Sequence, residues 1–298
     1  MEVPCVRVPR TEGERARGEL AAADLVDPAR EIELEDGALY IPVTDPASVP
    51  EGYAVVSRDA PRRETQTMPA DLLGYEPSYE RLGGVVMLDE DDHARAVEIA
   101  EAVMASDLPV ETVVDRASKV KGELRVREWD VLAGDVPDDT PGSDETESRP
   151  RTETVHREYG FEYLLDIAEV YFSPRLATER HRVAEQVRAG ERAFDMFAGV
   201  GPFAIPFAAR GAEVVAVDLN ERAVEYLREN ARRNGVEERL TAVHGDVREV
   251  AGDYEGWADR LVMNLPHSAD EFLETAVSLA GDDCVVHYYD IQHEDDPF

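Results

Sequence analysis

Residues 195–204 read Asp-Met-Phe-Ala-Gly-Val-Gly-Pro-Phe-Ala, and they decide the fold. The apolar stretch Ala193–Phe197 runs into Gly199 and Gly201 and then into a second apolar run, Pro202–Ala209. This is the pattern of a buried strand turning sharply into a helix. Glycine lets a ligand approach the backbone closely, and the helix N-terminus offers unpaired N–H groups. Downstream, Glu213–Asp218 predicts a strand, and Glu221–Asn234 predicts a helix capped by Asn220 and ended by Gly235. Leu240–His244, Arg260–Asn264 and Cys284–Tyr289 predict three more strands, with a helix over Ala269–Ala280 before the last. Strands alternating with helices predict a doubly wound, mainly parallel α/β sheet.

Upstream, Ser173-Pro174 reads as a cap followed by proline at the first helical position. Leu176, Val183, Ala184 and Val187 form the apolar stripe of that helix, which stops at Gly190. Residues 1–60 predict a small α+β domain: an alternating segment at Cys5–Val8, a helix over Glu12–Ala23 and a strand pair within Ile32–Val43. Arg58–Thr67 reads as a linker. A second α+β domain, 61–151, carries strands at Val85–Leu88, Thr112–Asp115 and Glu123–Glu128 and a helix over Ala94–Ala105. It ends in an acidic loop, 137–151, expected to be disordered. The sheet domain then occupies 152–298.

The 298 residues hold 31 basic and 65 acidic side chains, a net charge of −34, yet 43% of them are hydrophobic, which indicates a folded protein with an acidic surface. Lys119 and Lys121 are the only lysines, so arginine carries the positive charge. This composition resembles that of extreme halophiles, where molar salt screens self-repulsion within about 3 Å. No secretory signal and no membrane-spanning segment is visible; the longest uncharged run, Met196–Ala209, is broken by glycine and proline. Cys5 and Cys284 give neither a disulfide framework nor a metal spacing, and the histidines are scattered. The expectation is a soluble cytoplasmic protein without metal.

The strand ends of the predicted sheet converge on one site. Asp218 stands 23 positions after Asp195, where a carboxylate can bind two ribose hydroxyls. Gly199-x-Gly201-x-x-Ala204 also satisfies a dinucleotide fingerprint, so a dehydrogenase competes, and glycines serving only a tight turn are the bland alternative. His244-Gly-Asp246-Val247 places a carboxylate and an apolar side chain where an adenine fits. Asn264-Leu-Pro266 forms a polar turn on the substrate side, and its amide donates and accepts in one plane. Both features favour S-adenosylmethionine over a dinucleotide, although Asn264 also suits a plain turn.

Val170-Tyr-Phe-Ser-Pro-Arg-Leu-Ala-Thr-Glu-Arg180, Asp195–Phe203, Asp246-Val-Arg-Glu249 and Asn264-Leu-Pro266 together resemble the archaeal and eukaryotic type of tRNA (guanine-37-N1) methyltransferase. The resemblance extends through Lys121–Glu128 and Leu132-Ala-Gly134, and weakly into the first sixty residues, similar to that family's small tRNA-reading domain. It implies a Rossmann-like class I methyltransferase domain preceded by two small α+β domains. It also implies methyl transfer from S-adenosylmethionine to N1 of the guanosine 3′ of the anticodon. By the same resemblance Glu179 is the general base, Arg125 contacts the guanine O6, and Tyr171, Asn264 and Pro266 frame the base and the methyl donor. Arg180, Asp218, Leu219, Asp246 and Val247 match cofactor contacts, to which the motif adds Asp195, Phe197, Gly199 and Gly201.

The chemistry suits these roles. A sulfonium is already a strong electrophile, so the enzyme aligns the attacking nitrogen and removes its proton. Charge then spreads onto O6, where a guanidinium stabilises it. Read without the resemblance, Glu179 is a surface partner of Arg175 at i, i+4, and Arg125 or Arg127 alternates on a strand beside Glu123 or Glu128. The resemblance further implies a monomer, and that the family continues past Phe298 with a helix and two strands. Their absence would leave the Cys284–Tyr289 strand at the sheet edge and its core partly uncovered.

The expected partner is tRNA carrying G37. Arg62, Arg63, Lys119, Lys121, Arg125, Arg127, Arg175, Arg180 and Arg182 are candidates for a local basic face. In concentrated salt, recognition is expected to lean on RNA shape, stacking and an extruded base. Two other readings stand beside this one. The first is a wyosine-pathway transferase using the same cofactor, for aminocarboxypropyl transfer or methylation of the tricyclic intermediate. The second is an NAD-dependent or catalytically silent RNA-binding protein.

Overall fold

The computed structural model describes residues 2–62, 66–118, 126–134 and 152–291. The chain forms two compact units, Met1–Thr67 and Met68–Phe298. In the first, β1 (Glu2–Pro9), α1 (Gly13–Ala22), β2 (Glu33–Glu35), β3 (Ala38–Pro42) and β4 (Ala54–Asp59) build an antiparallel sheet in the order β2-β3-β1-β4. Ala16 and Leu20, one helical turn apart on α1, close its core against Val6, Val8 and Ile41. The strand β4 takes up Arg58 and Asp59, so the segment expected to be a linker begins as sheet.

The second unit opens with α2 (Pro69–Leu73), β5 (Glu80–Leu82), β6 (Val85–Leu88), α3 (His93–Ala105), β7 (Thr112–Arg116) and β8 (Trp129–Gly134). Its sheet runs β5-β6-β7-β8, and α3 is the crossover between the parallel strands β6 and β7. Of the strand expected at Glu123–Glu128, residues 123–125 lie outside the described residues, Val126 forms a β-bridge, and continuous strand begins only at Trp129. The acidic loop 137–151 lies outside the described residues.

A hairpin of β9 (Glu153–Glu158) and β10 (Phe161–Asp166) follows, which the sequence reading missed. Then come α4 (Ala177–Ala184), β11 (Arg192–Asp195), α5 (Ala204–Ala209), β12 (Glu213–Asp218), α6 (Glu221–Arg233), β13 (Leu240–His244), α7 (Val247–Val250), β14 (Ala258–Met263), α8 (Leu273–Leu279) and β15 (Ala280–Tyr288). All four pairings of the sheet β13-β12-β11-β14-β15 are parallel, as the alternation predicted. Chain direction across the sheet reverses between β11 and β14, and ligand crevices form at such a switch point.

Two asparagines fix the hairpin to the sheet domain. Asn230 of α6, fully buried, accepts from Leu164 N at 2.7 Å and donates to Leu164 O at 3.0 Å. One turn on, Asn234 does the same for Glu162, at 3.0 and 2.7 Å. The amides replace a neighbouring strand along the free edge of β10 and leave none of these buried groups unpaired. At the other edge, β15 carries the adjacent residues Val285 and Val286 at 42% and 45% exposure, so both faces of the strand are open.

Candidate functional site

The carboxyl ends of the parallel strands, together with residues 171–173, enclose a cleft of about 660 Å3. This volume suits a cofactor-sized ligand. Met196, Phe197 and Gly199 line it after β11, Asp218 and Leu219 after β12, Asp246 and Val247 after β13, and Asn264 and Pro266 after β14. Tyr171, Phe172 and Arg180 line it as well. Ten of the expected residues are thus brought together: Tyr171, Arg180, Phe197, Gly199, Asp218, Leu219, Asp246, Val247, Asn264 and Pro266. Glu179, Asp195 and Gly201 stand outside the lining, and Arg125 lies outside the described residues. Phe172, Leu265 and Phe272 were missed; Phe272 meets Phe197 edge to face at 4.9 Å.

Asp218 is held by the turn it faces. Gly199 N donates to its Oδ2 at 2.6 Å and Asn220 N to its Oδ1 at 2.8 Å. Each oxygen keeps a second lone pair for a hydroxyl. Burial raises the carboxyl pKa, with the Asn220 and Gly199 N–H groups opposing. Leu219 beside it is 44% exposed, an apolar surface on the cleft wall. Asp246 caps α7 by accepting from Arg248 N at 2.9 Å and also pairs with the Arg248 guanidinium, which lowers its pKa.

The glycines divide in role. Gly199, at φ +53°, has open space where a Cβ would stand, apart from Tyr171 O at 3.9 Å. Gly201, at φ +93°, is needed for packing, since a Cβ there would meet Leu227 Cδ1 at 2.4 Å. Asp195 sits 1% exposed at the end of β11. Its Oδ1 accepts from Phe197 N at 3.4 Å, and its Oδ2 is buried without a partner among the described residues. Burial, and then the Asp218 carboxylate, push its pKa up to about 7 against the Phe197 N–H. Two carboxylates near the glycine turn suit a cationic ligand and oppose a pyrophosphate. The nearby guanidiniums of Arg180 and Arg248 are already paired with Glu158 and Asp246.

Arg180 is 2% exposed, not part of a surface face. Its Nε donates to Glu158 Oε1 at 2.9 Å and its Nη1 to Ser173 O at 3.0 Å, with the guanidinium 5.0 Å from the Phe172 ring. Its bonds therefore position the segment Tyr171–Ser173 that walls the cleft. Ser173 occupies the N-cap position with Pro174 first in the turn, as expected, but the turn is a 3-10 helix and the Ser173 side chain makes no capping hydrogen bond.

Glu179 does not pair with Arg175. Arg182 donates to both its oxygens at 2.7 Å, and Tyr289 Oη donates at 3.0 Å. The Arg182 hydrogen bonds, aided by Tyr289 and opposed by burial, hold its pKa below the usual carboxylate range. Arg175 pairs with Glu80 instead. No group of metal-binding side chains occurs among the described residues, and no described helix is long and apolar enough to cross a membrane.

Three family models match the chain: the TRM5/TYW2 methyltransferase domain over residues 154–297, the tRNA methyltransferase 5 N-terminal domain over 5–51, and the TYW2 N-terminal domain over 65–138. The chain is 38% identical to tRNA (guanine(37)-N(1))-methyltransferase Trm5b of Pyrococcus abyssi, covering 98% of this chain and 86% of that one. It is 34% identical to the tRNA(Phe) (4-demethylwyosine(37)-C(7)) aminocarboxypropyltransferase of Pyrococcus horikoshii, over 76% of each. Among solved structures, the complex of aTrm5 and tRNALeu matches with a TM-score of 0.68 at 31% identity, covering 96% of this chain and 86% of that one.

Proposed function

The chain belongs to the TRM5/TYW2 methyltransferase family, and from that premise we propose that it methylates N1 of guanosine-37 in tRNA. The observation that carries the reading is the cleft itself, where a ribose-binding carboxylate, an exposed apolar wall and the Asn264-Leu265-Pro266 turn meet Tyr171 at the sheet's switch point. The residues fit S-adenosylmethionine, the family's cofactor, because carboxylates near the glycine turn complement its positive charge. When bound, it supplies a methyl group activated by a sulfonium.

Asp218 is assigned to the ribose hydroxyls, Leu219 and Val247 to the adenine faces, and Phe197, Gly199 and Asp246 to neighbouring contacts. Tyr171 and Pro266 take the target base between them, and Asn264 orients its edge. Glu179 accepts the N1 proton, and Arg125 stabilises the charge on O6. Asp195 acts from beneath as a buried countercharge, Arg180 through the segment it positions, and Gly201 through packing.

We assign tRNA reading to residues 1–60 and a middle domain to 61–151, in line with the separate models matched there. The reading includes a monomer acting in the cytoplasm. It also includes an origin in concentrated salt, supported by 65 acidic residues against two lysines.

Labelled cofactor with unmodified tRNA bearing G or A at position 37 tests the assignment. Label is expected in the G form alone, and label in the A form refutes the target. Aminocarboxypropyl transfer is the second reading, favoured by the match over 65–138. Primer extension separates the two, because an N1-methyl blocks the Watson–Crick edge.

A further inference from the structure

A second cleft, about 110 Å3, adjoins the first and shares Tyr171, Phe172 and Ser173 with it. Its walls come from the small sheet and from the approach to α4. Trp129 Nε1 donates to Ile167 O at 3.0 Å and joins the two sides. Three guanidiniums line it, those of Arg116, Arg127 and Arg175. Only Glu80 and Asp89 oppose them among the described ion pairs: Glu80 pairs with Arg175 and lies 3.9 Å from Arg116, which also pairs with Asp89.

The positive charge here is under-compensated, in a chain whose net charge is −34. Among the described residues Arg127 has no ion-pair or hydrogen-bond partner, and Nε of Arg116 is buried with no hydrogen-bond partner. Burial and the adjacent Arg116 guanidinium lower the Arg127 pKa, against weaker help from Tyr171 and Asp89. Two crowded, partly desolvated guanidiniums are unfavourable without an anion between them. A phosphodiester supplies that anion with geometry matched to forked donors.

Resting on the tRNA reading above, we propose that this cleft seats one backbone phosphate of the RNA beside the target nucleoside, held by Arg116, Arg127 and Arg175. Tyr171 belongs to both clefts, so a base stacked on it in the first leaves its backbone at the mouth of the second. Glu80 is then a competitor that yields Arg175 to the phosphate as RNA docks. The seat needs no sequence information, since phosphate contacts position and base contacts specify.

The test measures equilibrium binding of tRNA without cofactor, over a KCl series, so it does not depend on methyl transfer. Arg127→Ala is expected to weaken binding about 10-fold and to reduce the salt slope by about one phosphate contact. Arg127→Lys is expected to recover part of the loss. Glu80→Gln is expected to tighten binding several-fold. A tRNA with a neutral methylphosphonate at one of the two linkages flanking position 37 should bind the unaltered protein as weakly as normal tRNA binds Arg127→Ala, and the two changes should not add. Inorganic phosphate at tens of millimolar should compete with tRNA and leave cofactor affinity alone. Normal affinity for both methylphosphonate tRNAs, additive losses, or weaker binding by Glu80→Gln would overturn the proposal. Loss of label at G37 with this binding pattern intact would overturn the reaction and leave the phosphate seat standing.

Discussion

The hydroxyl of Tyr289 donates to Oε1 of Glu179 at 3.0 Å, tying the end of β15 to α4 across 110 positions of chain. The proposed general base is thus held from two elements, by Arg182 on its own helix and by Tyr289 from the sheet. His287, half-buried on β15, also faces it, its pKa lowered by burial and then by Arg260 and Arg182. The Tyr289 ring is anchored 5.7 Å from that of Phe203, so the donor is a fixed one.

Tyr289→Phe removes one hydrogen bond to the ionised carboxylate, and the Glu179 pKa must rise as a result. A base works in its ionised form, so the acid limb of the kcat–pH profile is expected to move to higher pH. Arg182→Ala, which removes the largest lowering contribution, should move it further. Glu179→Gln should slow turnover and leave cofactor affinity intact. An unmoved limb in both of the first two variants would detach Glu179 from the rate.

Gly199 and Gly201 are expected to separate binding from stability. At Gly201 an added Cβ runs 2.4 Å from Leu227 Cδ1 in a close-packed core, so Gly201→Ala should cost about 2–4 kcal/mol from overpacking and a positive φ. At Gly199 the space is open on the cleft side, and Gly199→Ala should cost only about 1–2 kcal/mol through its φ of +53°. Its methyl instead meets the ligand, so cofactor affinity should fall about 10-fold or more, in line with the backbone approach that glycine permits. Urea unfolding and calorimetry read the two quantities separately. Equal stability losses would contradict the division.

Much of this architecture was readable in advance, for a physical reason. Buried parallel strands such as Val214–Val217 are continuous apolar runs, and amphipathic α6 announces itself by an Asn220 cap and Gly235 stop. Strand-end residues follow from topology, which is why Asp218, Asp246 and Asn264 fell together. The hairpin β9–β10 was hidden, because His156, Arg157, Glu158 and Glu162 interrupt its apolar alternation. Glu158 is there to neutralise Arg180, 22 positions on, while Arg157 and Glu162 pair with each other across the hairpin. Helical spacing suggested Arg175 for Glu179, but the preceding 3-10 turn sends Arg175 to Glu80. No local pattern carries a partner 110 positions away.

The Arg180–Glu158 pair is buried, at 2% and 5% side-chain exposure, and breaking it should be costly. Glu158→Gln leaves a desolvated guanidinium without its countercharge, and a loss of about 3–5 kcal/mol is expected. The Glu158 pKa is lowered: burial raises it, but the Arg180 hydrogen bonds, with the His156 ring 3.6 Å away, outweigh that. A lowered carboxylate contributes stability above its unfolded pKa, near 4.3, that disappears as pH falls through the folded value. Acid unfolding of the variant should therefore show a shallower decline below about pH 4. A loss under about 1 kcal/mol in urea would mean that the ion pair is replaceable by neutral contacts.

Asp195 should show the opposite linkage. Its folded pKa is pushed up to about 7, so between its ordinary value of 3.8 and about 7 the folded state binds a proton that the unfolded state releases. The slope of stability with pH then has a negative sign, and this residue costs stability progressively as pH rises through that window. Asp195→Asn keeps the shape of the side chain and removes the titration, so that downward slope should vanish. The slope is the decisive quantity, since the amide brings its own buried N–H group and shifts the absolute value. Saturating a positively charged ligand such as S-adenosylmethionine should flatten the same slope in the parent protein, because a nearby cation favours the ionised carboxylate. A parent slope unchanged by the asparagine would show that Asp195 does not titrate in this window.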